Sequence, residues 1–152
     1  MTRYVIRSLR ARHIDAIVEH EARVEVTPWS ASAIADTLVA PYESWVVTLE
    51  GKPVAWLLTR RIVDRAELLL IGTAKDHQRK GLARRLLTQW ERNLRVNGVV
   101  AIHLEVRASN VAAQALYQAM GYERVGRRKN YYFYDGQHED ALLWTRQIQR
   151  MV

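Results

Sequence analysis

The hydrophobic period of the chain switches once between residues 45 and 94, and that switch limits the folds open to it. Residues 45–49, 54–63 and 67–73 carry the apolar and β-branched content of strands, with turns signalled at Glu50-Gly51-Lys52 and near Asp64. Leu82, Leu86, Leu87, Trp90 and Leu94 then recur at helical spacing, and Asn97-Gly98 stops the run as a C-cap would. A three-stranded antiparallel meander running into an amphipathic helix predicts a sheet with a helix packed on one face.

The flanking segments extend this pattern. Residues 3–8 predict a short strand, and 12–23 a helix whose Ile14, Ile17 and Val18 share a face. Pro28-Trp29-Ser30 interrupts, and Ser30 can N-cap a second helix over 31–39. Ile102, Leu104 and Val106 alternate in a strand, a helix over 110–120 closes at Gly121, and 122–134 with 139–146 read as a hairpin around Asp135-Gly136. With 49% hydrophobic residues, seven Gly, three Pro and no low-complexity stretch, a single α/β domain over 1–152 is expected.

Composition removes some chemistries. There is no Cys, which excludes disulfides, thiolate metal sites and a cysteine acyl-enzyme. His13, His20, His77, His103 and His138 show no ligand spacing, so no metal is expected. No apolar stretch is long enough to span a bilayer and the start lacks a signal-peptide core, which predicts a cytoplasmic protein without a membrane role. A net charge of +7 favours anionic partners, although basic residues interleaved with aromatics in the manner of a nucleic-acid surface are not evident and no direct nucleic-acid role is expected.

Two segments carry candidate chemistry. Gln78-Arg79-Lys80-Gly81-Leu82-Ala83 joins a strand to a helix beginning near Lys80, and a helix N-terminus offers unpaired N–H groups and partial positive charge to a pyrophosphate. On the strand 101–107, His103, Glu105 and Arg107 share the face opposite the aliphatic stripe. A helix with Ala115-Leu116-Tyr117 follows an N-cap at Ser109-Asn110. Taken singly, each also reads as an ordinary βα turn, a polar sheet face or a core tyrosine.

Their order is what distinguishes them. Gln78-x-x-Gly81-x-Ala83, then Leu104-Glu105-Val106-Arg107-Ala108-Ser109-Asn110, Ala115-Leu116-Tyr117 and Gly121-Tyr122 resemble the GCN5-related N-acetyltransferase (GNAT) family. Pro28-Trp29-Ser30, Arg128-Lys129-Asn130-Tyr131-Tyr132 and Gly136-x-x-Glu139-Asp140-Ala141 extend the resemblance over nearly the whole chain, toward the branch that acetylates the N-terminal alanine of a small-subunit ribosomal protein. It implies the GNAT fold, a central mixed and mostly antiparallel sheet of about seven strands with about four helices. It also implies an acetyl-coenzyme A site at Ile71-Gly72-Thr73, at Gln78, Arg79, Lys80, Gly81, Leu82, Ala83 and Arg84, and at Asn110 and Tyr117. Glu105 matches the family's general base and Tyr117 its general acid. Ala83 stands where Gly is usual and Thr73 where Val is usual.

The chemistry suits an N-terminal amine, whose pKa of about 8 makes deprotonation cost roughly 1–1.5 kcal/mol near neutrality, against several for lysine at about 10.4. A tyrosine near pKa ~10 can protonate a leaving thiolate. The oxyanion can be met by backbone N–H groups near Thr73 and Ala74. Pro28, Trp29, Tyr131 and Tyr132 are candidates for gripping an extended peptide. The alternatives are an acetyltransferase for lysine or a small amine, and a non-catalytic coenzyme A-binding module.

Overall fold

The computed structural model describes residues 3–148 and so leaves out residues 1, 2 and 149–152 of the expected domain. Seven strands form one sheet: β1 (Tyr4–Ser8), β2 (Tyr42–Leu49), β3 (Lys52–Ile62), β4 (Arg65–Thr73), β5 (Ala101–Arg107), β6 (Glu123–Tyr134) and β7 (Gln137–Gln147). Their order is β1-β2-β3-β4-β5-β7-β6, with β4 and β5 parallel and every other pair antiparallel. Four α-helices flank it: α1 (Ile14–Val24), α2 (Ala31–Ala35), α3 (Leu82–Val96) and α4 (Val111–Ala119).

Element boundaries move where backbone geometry overrides periodicity. The predicted helix over 12–23 opens with a 3₁₀ turn at Ala11–His13 before α1, and the helix over 31–39 ends as α at Ala35 and tightens into a 3₁₀ turn. Ser30 caps α2, accepting the Ala33 N–H at 3.2 Å. The helix expected from Lys80 begins at Leu82, because Arg79 (φ 62°) and Gly81 (φ 77°) are left-handed and cannot propagate a helix. At the final hairpin Asp135 and Gly136 both take positive φ, which is what a tight primed turn requires.

Two cores form on opposite faces of the sheet. Leu82, Leu86, Leu87, Trp90 and Leu94 seat α3 on one face with Leu57, Leu104 and Tyr117. On the other, Ile17 and Ile34 from α1 and α2 pack against Val46, Trp56 and Leu58. Each core also buries a carboxylate. Glu91 of α3 is 3% exposed and accepts hydrogen bonds from Arg146 Nε at 2.9 Å and the Tyr122 hydroxyl at 3.3 Å, tying α3 to β7.

Glu21 of α1 is fully buried and accepts from Trp56 Nε1 at 2.7 Å. Burial pushes its carboxyl up to about 7, with the Trp56 hydrogen bond acting in the opposite direction. Because the folded value lies above the ordinary 4.5, the associated stability is complete below that value and is lost as pH rises through about 7. The urea midpoint is therefore expected to fall between about pH 5 and pH 8, and the fall should flatten in Glu21→Gln. A wild-type midpoint that stays level across this window would contradict a buried, proton-holding Glu21.

The sheet opens at its centre. β4 and β5 pair only from Arg65↔Ala101 to Leu68↔Leu104, although β4 continues to Thr73 and β5 to Arg107. The cause lies in β4: Thr59 pairs with Leu68 and Leu58 with Leu70, so Leu69 is an extra residue. Such a bulge bends its strand, and here the bend falls where the two strands part.

Candidate active site

A cavity of about 570 Å³ occupies the parting, within the usual size of a ligand site. Ile71, Gly72 and Thr73 of β4 form one wall, and Asn110, Ala113 and Leu116 at the start of α4 form another. Gln78, Arg79, Gly81, Leu82, Ala83 and Arg84 line the end where α3 begins. Ten of the residues expected around the cofactor are thus brought together. Lys80 is exposed and does not line the cavity, and Tyr117 lies in the core one residue beyond Leu116.

The N-terminus of α3 faces this space because Gly81 turns the chain through a left-handed residue, and a Cβ built there meets nothing within 4 Å. Gln78 closes the loop by donating from Nε2 to the Thr73 carbonyl at 3.2 Å. Asn110 caps α4, its Oδ1 accepting the Ala113 N–H at 3.1 Å, which leaves its N–H₂ group as the donor available to a ligand. Gly72 is set by packing: a Cβ there would lie 2.5 Å from the Trp56 ring, itself buried and held by Glu21. Gly72→Ala is expected to cost about 1–3 kcal/mol by forcing β4 off that ring, read as a lower denaturation midpoint. Wild-type stability in that variant would show that Trp56 can move.

A second cavity of about 630 Å³ lies beside Leu69 and Leu143 and contains Glu105, Tyr131 and Tyr132. Glu105 is on the polar face of β5, as expected, and pairs with Arg128 Nε at 3.0 Å. Tyr117, from α4, is 3% exposed and packs on Tyr122 and Trp144 at ring-centroid distances of 5.5 and 6.5 Å. Burial raises its phenol well above the usual range, with Glu25 and Tyr132 adding to the shift. The ordinary tyrosine pKa assumed from sequence is therefore corrected: burial holds this proton more tightly.

The two segments expected to grip an acceptor are joined by a residue that sequence reading placed only on a polar face. Arg107 donates from Nη2 to Thr27 Oγ1 at 2.9 Å, pairs from Nη1 with Glu139 Oε1 at 3.3 Å, and lies 4.2 Å from the Tyr132 ring centre. Glu139 also accepts the Ser109 N–H at 2.6 Å, anchoring the turn into α4; hydrogen bonding from the Ser109 side chain and backbone, with the Arg107 guanidinium, keeps its carboxyl below the usual range against the opposing effect of burial. Pro28 is exposed and lines neither cavity, while Trp29 packs against the α1–α2 core beside Leu69. The Ala74 N–H, expected at the oxyanion, is instead engaged with the Val54 carbonyl at 2.9 Å. Among the described residues no group of three His, Cys, Asp or Glu is gathered that could hold a metal, and no helix is long and apolar enough to cross a membrane.

Residues 9–122 match the Acetyltransferase (GNAT) family. The chain belongs to that family. This GNAT chain is 37% identical over 138 residues to the [ribosomal protein bS18]-alanine N-acetyltransferase of Escherichia coli K12, covering 91% of this chain and 93% of the relative. Its structure superposes on a crystal structure of the ribosomal-protein-S18-alanine N-acetyltransferase from Escherichia coli with a TM-score of 0.91 and 35% identity, over 99% of this chain and 97% of the other. The fold is shared with Arabidopsis thaliana NAA60, solved in complex with a bisubstrate analogue, at a TM-score of 0.88 and 14% identity, over 95% of this chain and 98% of that one. The GNAT fold expected from sequence is thus observed, with seven strands and four α-helices among the described residues.

Proposed function

We propose that the chain transfers the acetyl group of acetyl-coenzyme A to the N-terminal α-amine of a protein, with the N-terminal alanine of a small-subunit ribosomal protein as acceptor. The observation that carries this reading is the similarity along 91% of the chain to an enzyme named for that reaction, together with two cavities flanking the open sheet. We propose that the whole chain works as a single acetyltransferase domain in the cytoplasm.

Acetyl-coenzyme A fits the first cavity on the chemistry of its lining. The α3 N-terminus, with Arg79 and Arg84, offers donors and positive charge for the pyrophosphate, and the apolar wall of Ile71, Ala113 and Leu116 suits the pantetheine arm. Among the described residues β4 does not pair with β5 beyond Leu68, which supports a role for the β4 N–H groups there as donors to carbonyl oxygens of the cofactor.

The acceptor would enter from the second cavity, beneath the Arg107 bridge and past Tyr131 and Tyr132. Glu105 takes a proton from the acceptor nitrogen, directly or through a water, and its exposed position lets that proton leave to solvent. Tyr117 stays protonated at neutral pH, so its role is that of a loaded donor to the leaving sulfur, releasing its proton only as negative charge develops there. With no Cys in the chain, direct attack within a ternary complex is the simplest route.

The test is release of free coenzyme A with two peptides, one with a free N-terminal alanine and one N-terminally blocked with an internal lysine. Turnover with only the first is the expected result. Turnover with only the second would assign the chain to lysine acetylation.

A further inference from the structure

Glu25 is the first residue beyond α1, with extended backbone (φ −109°, ψ 143°) and an N–H donating to the Glu21 carbonyl at 2.9 Å. Its half-buried carboxylate lines the cofactor cavity beside Val24, Ile71 and Gly72. Among the described residues it makes no side-chain hydrogen bond and no ion pair. Nearby carboxylates around the second cavity and the Arg107 bridge are engaged: Glu105 with Arg128, Glu139 with Arg107 and the Ser109 N–H, and Asp140 with Arg127.

The position is also a poor one for an acid on structural grounds. A carboxylate at the C-terminal end of a helix opposes the helix dipole, and Glu25 lies one turn from the buried Glu21. Local stability would favour a cation. Residues that break a local rule without structural gain are expected at functional or strained positions.

We propose that Glu25 receives the acceptor's α-ammonium on the cofactor side of the slot and takes the first of the two protons its nitrogen must lose. This rests on the N-acetyltransferase reading above. Proton transfer from the ammonium to the Glu25 carboxylate leaves a neutral amine and a carboxylic acid. The amine lone pair forms the C–N bond to the thioester carbonyl. As the C–S bond breaks, its electron pair leaves on sulfur, which takes a proton from Tyr117. The second nitrogen proton departs by way of Glu105, Tyr117 is reprotonated from solvent, and Glu25 sheds its own proton when the product leaves. Each turnover then releases one proton, one thiol and one amide.

The groups facing Glu25 agree with this role. Burial raises its carboxyl above the usual range and brings it nearer to an amine, and Arg107 from β5 partly offsets that rise. Tyr117 from α4 and Glu21 from α1 feel its charge, and His77, Arg79 and Arg84 line the same cavity.

The deciding experiment compares wild type, Glu25→Gln and Glu25→Asp in steady-state acetylation of a peptide with a free N-terminal alanine, over about pH 6 to 9. Glu25→Gln is expected to lower kcat/KM for the peptide by about 10–100-fold, most at low pH, with its acid limb moved to near pH ~8 where the amine loses its own proton. Glu25→Asp should recover part of the loss, while the KM for acetyl-coenzyme A and the thermal midpoint stay near wild type. A Gln variant within twofold of wild type at every pH, or an equal rise in the acetyl-coenzyme A KM, would overturn the proposal. If the wild type uses lysine or a small amine instead, the function reading fails but the same comparison on that amine still decides Glu25. If no amine is turned over, calorimetry of the peptide with coenzyme A-loaded protein replaces it. Binding at least tenfold weaker in Glu25→Gln would then support the ammonium contact, and unchanged binding would remove it.

Discussion

Tyr117→Phe is expected to lower kcat by about 10²–10⁴-fold while acetyl-coenzyme A affinity stays within about twofold. The substitution removes one oxygen and keeps the ring that packs on Tyr122 and Trp144, so the α4 side of the core has little reason to rearrange. The phenol is buried and firmly protonated, which suits a donor and would be an expensive way merely to fill space. Single-turnover kinetics with calorimetric titration of the cofactor check this. Parallel losses of turnover and affinity, or a lowered thermal midpoint, would make Tyr117 a packing residue.

Gly81→Glu should weaken acetyl-coenzyme A binding by at least about 100-fold, because it places a carboxylate where the α3 N-terminus and Arg84 favour phosphate. The fold should survive: a Cβ at Gly81 meets nothing within 4 Å, and an acid at a helix N-terminus is favourable to it. The left-handed φ of 77° costs about 1–2 kcal/mol for any side chain, so Gly81→Ala isolates that cost from the effect of charge. The expected order of cofactor affinity is wild type, then Ala with a modest loss, then Glu with a large one. Undiminished binding by the Glu variant would mean that the phosphates lie elsewhere.

Much of this fold was legible because its signals are local. Period-two runs, the leucine spacing of α3 and the turn chemistry of Asp135-Gly136 are properties of neighbouring residues, and each element appeared near its predicted place. Boundaries differ from the periodicity where a special backbone position intervenes, as at Arg79 and Gly81 ahead of α3. The extra residue at Leu69 had no signature, since a bulge depends on what the partner strand does. The same distinction holds at the site. The segment from Gln78 to Arg84 is contiguous and could be found by pattern. Arg107 gains its bridging role only when Thr27, Tyr132 and Glu139, all distant in sequence, arrive around it. The immediate sequence of Glu25 does not reveal that it will share a cavity with α4 and β4. An acid three residues before Pro28, at a helix end that favours a cation, was the available clue.

The parting of β4 from β5 also bears on how safely this protein can be handled by the cell. A strand edge is useful for recognition because its main chain can be read by hydrogen bonds, and hazardous because another protein's strand can read it too. Here the useful edge is in the middle of the sheet, walled by α3 and α4, where a small linear cofactor can reach and a foreign strand cannot. At one outer edge of the sheet, β6 is interrupted by two register shifts and carries Arg124, Arg127, Arg128 and Lys129. A bulge of one residue thus gives the enzyme a readable backbone while keeping it out of reach of aggregation.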